Sequence, residues 1–171
     1  TTVMLGQTLG QGKGEEAGSI IGSSIALFSL IAALLTAFTI LGAGWLARIT
    51  QVPEEAIPPS LSYIRMCGAG LCFITAYNVF GSIFRGMGDS KPPLMTVAIA
   101  CAVNVAGDYL LVAVLGLGAL GAAIATVCAQ GVSVAVSLLV VSRRGLGFPF
   151  SPRDIRFHRV KVGRILRLGT P

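Results

Sequence analysis

Charge is what this chain has least of. Asp, Glu, Lys and Arg make up 12% of its residues, against 54% hydrophobic residues and a mean hydropathy of +0.82. A soluble domain usually carries about 25% charged residues. Half that share at this hydropathy excludes an ordinary water-soluble fold and indicates an integral membrane protein. Histidine is nearly missing, since the single His158 lies in a basic tail. The four cysteines, Cys67, Cys72, Cys101 and Cys128, all fall in apolar segments and read as small packing hydrophobes. A zinc-type site needs convergent Cys and His ligands, so no metal is expected. With no nucleophile–base pair and no histidine inside a helix, an enzyme is not expected either. The formal charge of +6 raises the question of nucleic acid. The arginines are not interleaved with stacking aromatics and no binding module is present, which excludes that partner.

Long hydrophobic runs are what the chain has in abundance. A bilayer core about 30 Å thick needs about 20 apolar residues as helix, and four segments meet that length. They run from about Ser19 to Ala47, Leu61 to Phe84, Pro93 to Leu115 and Ala119 to Ser142. Residues 1–10 look like the end of a fifth helix, cut short. The breaks have recognisable chemistry. Pro53, Pro58 and Pro59 surround Glu54 and Glu55, and Arg85 to Pro93 is a turn rich in Gly and Pro. Gly116-Leu117-Gly118 is so short that the third and fourth helices are expected to be antiparallel neighbours. The reading is an all-α membrane protein with helices over residues 1–142 and a basic segment over 143–171, whose end looks like the entry to another helix.

Orientation follows from the cations. Residues 1–16, 85–92 and 143–171 hold eleven Lys and Arg, and the opposite side holds Arg48 and Arg65. The positive-inside rule puts the first side in the cytoplasm. The 143–171 segment then reads as a cytoplasmic linker that touches anionic headgroups. Trp45 falls near the outer interface, where Trp anchors.

Against this apolar background the polar residues inside the spans stand out. Asp108 lies within the third helix, where a carboxylate costs roughly 2.5–3.5 kcal/mol on insertion scales. Such a residue faces a protein interior or a water-filled cavity and is a functional candidate. Asn104 lies one helical turn earlier on the same face. The fourth helix carries Thr126, Gln130, Ser133 and Ser137 as a polar stripe beside Gly121, Ala125 and Ala129, whose four-residue spacing suits close helix packing. Counted from the outer end, Thr126 and Asp108 lie at similar depth, so Asp108, Asn104 and Thr126 are expected in one cluster. Asn78 and Thr75 on the second helix, with Gln130, are further cavity-lining candidates. The competing role for all of these is hydrogen bonding that holds helices together.

The turn from Phe84 to Pro93, the pair Asn104 and Asp108, and the run from Gly118 to Thr126 resemble the multidrug and toxic compound extrusion (MATE) family in order and spacing. The opening Leu5-Gly6-Gln7 to Gly12 looks like the end of that family's second helix. The resemblance implies a twelve-helix transporter of two pseudo-symmetric lobes, of which this chain supplies helices three to six of the amino-terminal lobe. It also includes the end of helix two and the link to helix seven. It implies export of organic cations, drugs or toxic compounds by antiport with H⁺ or Na⁺. The implied partners are the lipid bilayer, small organic substrates and the carboxy-terminal lobe. No cofactor beyond the coupling ion is implied, and the location is multi-pass in a bacterial or archaeal cytoplasmic membrane. The family's amino-lobe ion site maps onto Asn104, Asp108 and Thr126, and a helix-four tyrosine of some members maps onto Tyr63. The family's partner Asp on helix one lies outside this chain, so the fragment is not expected to transport alone. The alternatives are a lipid-linked oligosaccharide flippase of the same superfamily and a non-transporting scaffold. Such flippases tend to line their cavity with arginine, and no helix interior here contains one.

Overall fold

The structure is a computed structural model that describes residues 1–146, 155 and 159–169. Arg153, Arg156, His158 and the terminal Thr170-Pro171 lie outside the described residues. The described elements are helical: α1 (Thr2–Gly10), α2 (Gly14–Leu41), α3 (Ala43–Ile49), α4 (Ile57–Gly86), α5 (Lys91–Asp108), α6 (Gly118–Arg144) and α7 (Arg159–Gly169). A 3₁₀ turn (Glu54–Ala56) precedes α4, and a π-helical turn (Tyr109–Val114) continues α5. Four spans are long and apolar enough to cross a membrane: Glu16–Leu41, Glu54–Gly86, Lys91–Val114 and Gly118–Arg144. The shortest has 24 residues, about 36 Å at 1.5 Å per residue, which exceeds a bilayer core. Only helices that satisfy their own backbone can occupy that environment.

Two boundaries differ from the sequence reading. The first span does not run unbroken to Ala47, because α2 stops at Leu41 and a separate α3 begins at Ala43. At Gly42, whose N–H bonds the Phe38 carbonyl at 2.8 Å, a Cβ would sit 2.6 Å from that same carbonyl oxygen. The kink therefore needs a residue without a side chain. The third span changes from α to π geometry right after Asp108. π turns inside α-helices occur frequently at functional sites. Pro58 and Pro59 open α4 and Pro92 and Pro93 open α5, in the first turn where a missing N–H removes no helical bond.

Packing rests on small residues. α5 and α6 are antiparallel neighbours, turned by Gly116 and Gly118 at φ of +66° and +54°. A Cβ on Gly107 would lie 2.9 Å from the Ala125 Cβ, and one on Gly121 would lie 2.9 Å from the Leu111 carbonyl oxygen. Gly70 of α4 receives Val127 of α6. Gly68 of α4 sits against Thr39 and Ile40 of α2, where the Thr36 hydroxyl donates to the Gly68 carbonyl at 3.1 Å. Buried hydroxyls bond back to their own helix, Ser24 to Ile20 and Thr96 to Pro92 and Pro93. Large apolar side chains such as Leu34, Leu94, Val105 and Leu138 point outward, as they do on a lipid-facing surface. Trp45 is exposed and packs edge-on against Phe38 at 6.2 Å.

Contacts at one end bring the cation-rich segments together. Arg144 pairs with Asp89 at 3.6 Å, Lys161 donates to the Ser19 hydroxyl, and Val162 and Ile165 of α7 are buried with Met4 and Ile20. The segment read as a linker thus contains a helix seated on α2.

Candidate functional site

Polar groups of α5 and α6 meet along the seam between the two helices, Asn104 half-buried and Thr126 exposed. Asn104 and Asp108 are one turn apart on the last two turns of α5. The Asn104 amide donates to the Thr126 hydroxyl of α6 at 3.3 Å. This bond leaves the Asn104 carbonyl oxygen and the Thr126 O–H proton for other partners. The Thr126 bond reaches Asn104 rather than Asp108, and the contact of Ala125 with Gly107 sets Thr126 between the levels of the two. One layer toward the other end, the Ser133 hydroxyl donates to the Thr96 carbonyl at 3.4 Å, and Ser133 and Ser137 are buried. The polar stripe of α6 therefore faces α5, and its two serines sit within the packed interface.

Two oxygens near this pair are unsatisfied. The Asp108 Oδ1 and the Gln130 Oε1 are buried and have no hydrogen-bond partner among the described residues. Orphaned buried oxygens cost free energy and call for an explanation such as an ion or water. A cavity of about 270 Å³ opens beside Gln130, lined by Tyr77 of α4, Asn104 of α5 and Ala129 and Gln130 of α6, with Asp108 one turn of α5 beyond its lining. Three helices thus contribute polar groups to one space, and among the described residues lining it none is cationic. Amide, hydroxyl and carboxylate oxygens are the donor set of hard cations. The same atoms can take up a proton and redistribute hydrogen bonds. Among the described residues no group of three His, Cys, Asp or Glu stands together.

The other sequence candidates lie elsewhere. Tyr63 is near the start of α4, bonded to the Cys67 side chain one turn on, and lines a separate pocket with Thr50, Val52 and Ala119. Asn78 bonds the Ile74 carbonyl of its own helix at 2.8 Å and lines a pocket with Phe28, Thr75 and Ser82. Thr75 also lines an apolar cavity of about 180 Å³ between α2 and α4, with Phe28, Ala32 and Phe80. The residue that sequence reasoning missed is Tyr77. Its only signal was a polar-tipped aromatic in the middle of an apolar span, and nothing in the spacing tied it to Asn104.

The family model MatE matches residues 1–110, which take in α1 to α5 and reach past Asp108. The chain belongs to the MatE family. Its relatives include a probable multidrug resistance protein YpnP of Bacillus subtilis, 34% identical over 127 residues, which cover 74% of this chain and 28% of that protein. The probable multidrug resistance protein NorM of Thermotoga maritima is 23% identical over 84% of this chain and 32% of its own length. A MATE transporter in the inward-facing conformation superposes with a TM-score of 0.87 at 25% identity, over 98% of this chain and 38% of that one. A transporter of the same superfamily from Pyrococcus furiosus, described as having a binding pocket of reverse polarity and suggested to differ in function, gives 0.88 at 25% identity, over 98% and 37%. The chain spans between about a quarter and two-fifths of the length of these relatives. It is a multi-pass membrane protein whose four spans share the architecture of MATE transporters.

Proposed function

We propose that this chain forms the ion-coupling half of the amino-terminal lobe in an exporter of small organic compounds driven by H⁺ or Na⁺. The observation that carries this reading is the pair of buried, unpartnered oxygens on Asp108 and Gln130, flanking the Asn104–Thr126 hydrogen bond. A bound cation or a proton would satisfy what the bundle leaves open. Ion uptake at Asp108 changes the local charge by one unit. In a low-dielectric interior that change biases the balance between two packings of neighbouring helices. The π turn that follows Asp108 is the element suited to respond, because its backbone bonding departs from the α pattern at that residue. Tyr77 lines the same cavity as Asn104 and Gln130, and in this reading its hydroxyl joins their network. Tyr63, named from the family resemblance, joins the network only if α4 shifts relative to α5.

The end that gathers Lys13, Arg85, Lys91, Arg143 and Arg144 is assigned to the cytoplasm by the positive-inside rule. Relatives named as multidrug resistance proteins support an organic substrate, and a bacterial or archaeal cytoplasmic membrane is the location this reading assigns. The flippase alternative has less support, since no Lys or Arg lines the described cavities among α2, α4, α5 and α6 within the spans. The test is efflux of a fluorescent organic cation by the full-length protein in vesicles, driven separately by pH and Na⁺ gradients. Wild type is compared with Asp108→Asn at matched membrane insertion. Collapse of gradient-driven efflux in the variant supports coupling at Asp108, and the gradient that works identifies the ion. Undiminished efflux makes Asp108 structural and rejects the proposal.

A further inference from the structure

A second polar cavity lies at the opposite end of α2 from its Gly42 kink. It has a volume of about 140 Å³, and its lining, mostly polar, includes Gln7 of α1, Gln11 and Lys13 of the turn between α1 and α2, Glu16 in the first turn of α2, and Lys161 and Arg164 of α7. Three cations and one carboxylate face this space. Among the described residues the ion pair is Arg144–Asp89, and Lys13, Lys161 and Arg164 form none. Like charges gathered in a concave, partly enclosed site repel each other and focus a positive potential outward. The arrangement is held in place rather than loosely solvated. Lys161 donates to the Ser19 hydroxyl, whose own proton goes to the Glu16 carbonyl at 3.0 Å. That anchor uses one ammonium proton and leaves two. Val162 and Ile165 of α7 are buried against Met4 and Ile20, which also line the cavity, so α7 is pinned with Lys161 and Arg164 there. The amino-terminal end of the α2 dipole adds partial positive charge there.

We infer that this cavity binds the phosphate of an anionic phospholipid headgroup. Depth selects the lipid: the cavity is lined by Glu16 and Ile20, the first turns of the span that begins at Glu16, which is where headgroup phosphates lie. Basic pockets between membrane helices on the cytoplasmic side take such headgroups. Gln7 and Gln11 supply neutral donors, and Glu16 weakens the site by opposing the phosphate. The site is separate from Asp108 and does not depend on the transport reading.

The test uses the full-length protein in detergent, with phosphatidylglycerol or phosphatidylcholine added. Thermal melting and native mass spectrometry are the readouts. Phosphatidylglycerol is expected to raise Tm above the phosphatidylcholine value and to leave one retained lipid. The triple variant Lys13→Gln, Lys161→Gln, Arg164→Gln is expected to lose both effects, and Arg143→Gln with Arg144→Gln to keep them. Glu16→Gln, which leaves the cations untouched, is expected to increase lipid retention; it serves as the test if the triple variant does not fold. Equal protection by the two lipids, or full protection of the triple variant, overturns the inference. So does unchanged retention in Glu16→Gln. If inorganic phosphate at the same concentration protects as well as phosphatidylglycerol, the cavity takes soluble phosphate and the lipid assignment falls.

Discussion

Asn104 and Thr126 link α5 to α6 through two side chains. One amide and one hydroxyl, 22 positions apart in the chain, join at 3.3 Å, while Asp108 and Gln130 keep oxygens without partners. Removing the Thr126 hydroxyl should therefore act mainly on function. Interhelical hydrogen bonds in membranes contribute about 0.6 kcal/mol on average, so Thr126→Ala is expected to lower the unfolding free energy by about that amount. Its gradient-driven efflux should fall well beyond what that loss predicts, which parallel melting and vesicle assays would reveal. Tyr77→Phe removes one hydroxyl from the cavity and keeps its aromatic bulk. Its effect is expected on efflux at limiting ion gradient and not on melting. An equal loss at saturating gradient would place Tyr77 outside the network. Asp108 was legible as soon as the apolar run around it was read, because an acid there is costly wherever it points. Tyr77 was not, because a tyrosine carries no comparable penalty and the cavity it lines is completed by residues of other helices.

The helices follow from hydropathy, but their contacts follow from glycine. Gly107, Gly121, Gly70 and Gly68 each lie where an added Cβ would meet a neighbouring helix or turn at 3.0 Å or less. The four-residue spacing of Gly121, Ala125 and Ala129 pointed to close packing in advance. The partner of Ala125, Gly107, carried no such signal. Gly107→Val is expected to force α5 from α6 and to cost about 1–3 kcal/mol, the usual range for overpacking. Because the Asn104–Thr126 bond bridges the same interface, efflux should fall along with stability, and melting in detergent would check the first part. Gly42→Leu tests the α2–α3 break in the same way: a side chain there meets the Phe38 carbonyl, so the variant is expected to melt lower than Gly44→Leu, where the space is open. The π turn after Asp108 was invisible beforehand, since α and π geometry share one pattern of apolar residues.

At the scale of the molecule, two ends differ in charge. Arg144–Asp89 and Lys161–Ser19 tie the basic segments to one end of the bundle, while the Gly116–Gly118 turn lies at the other. Orientation in the membrane is then a labelling experiment. With the native cysteines replaced, Leu117→Cys is expected to react with an impermeant maleimide in intact cells and Ser90→Cys only after permeabilisation. The reverse pattern would invert the topology. The MatE match and the overlap with solved transporters give this chain the MATE architecture over 38% of the length of the inward-facing transporter it resembles.

Hydropathy, glycine turns and the distribution of Lys and Arg determined the class, the number of spans and the antiparallel pairing of α5 with α6. Each is a local property: a run is long enough to cross or it is not, and a three-residue turn forces its two helices side by side. Helix rotation was decided only in three dimensions. Whether Asn78 looks into the cavity or at its own backbone, whether Tyr63 or Tyr77 faces Asn104, and where the basic tail settles all depend on which small residues let which helices approach. A one-dimensional pattern lists the faces of a helix. Packing against several neighbours at once chooses among them.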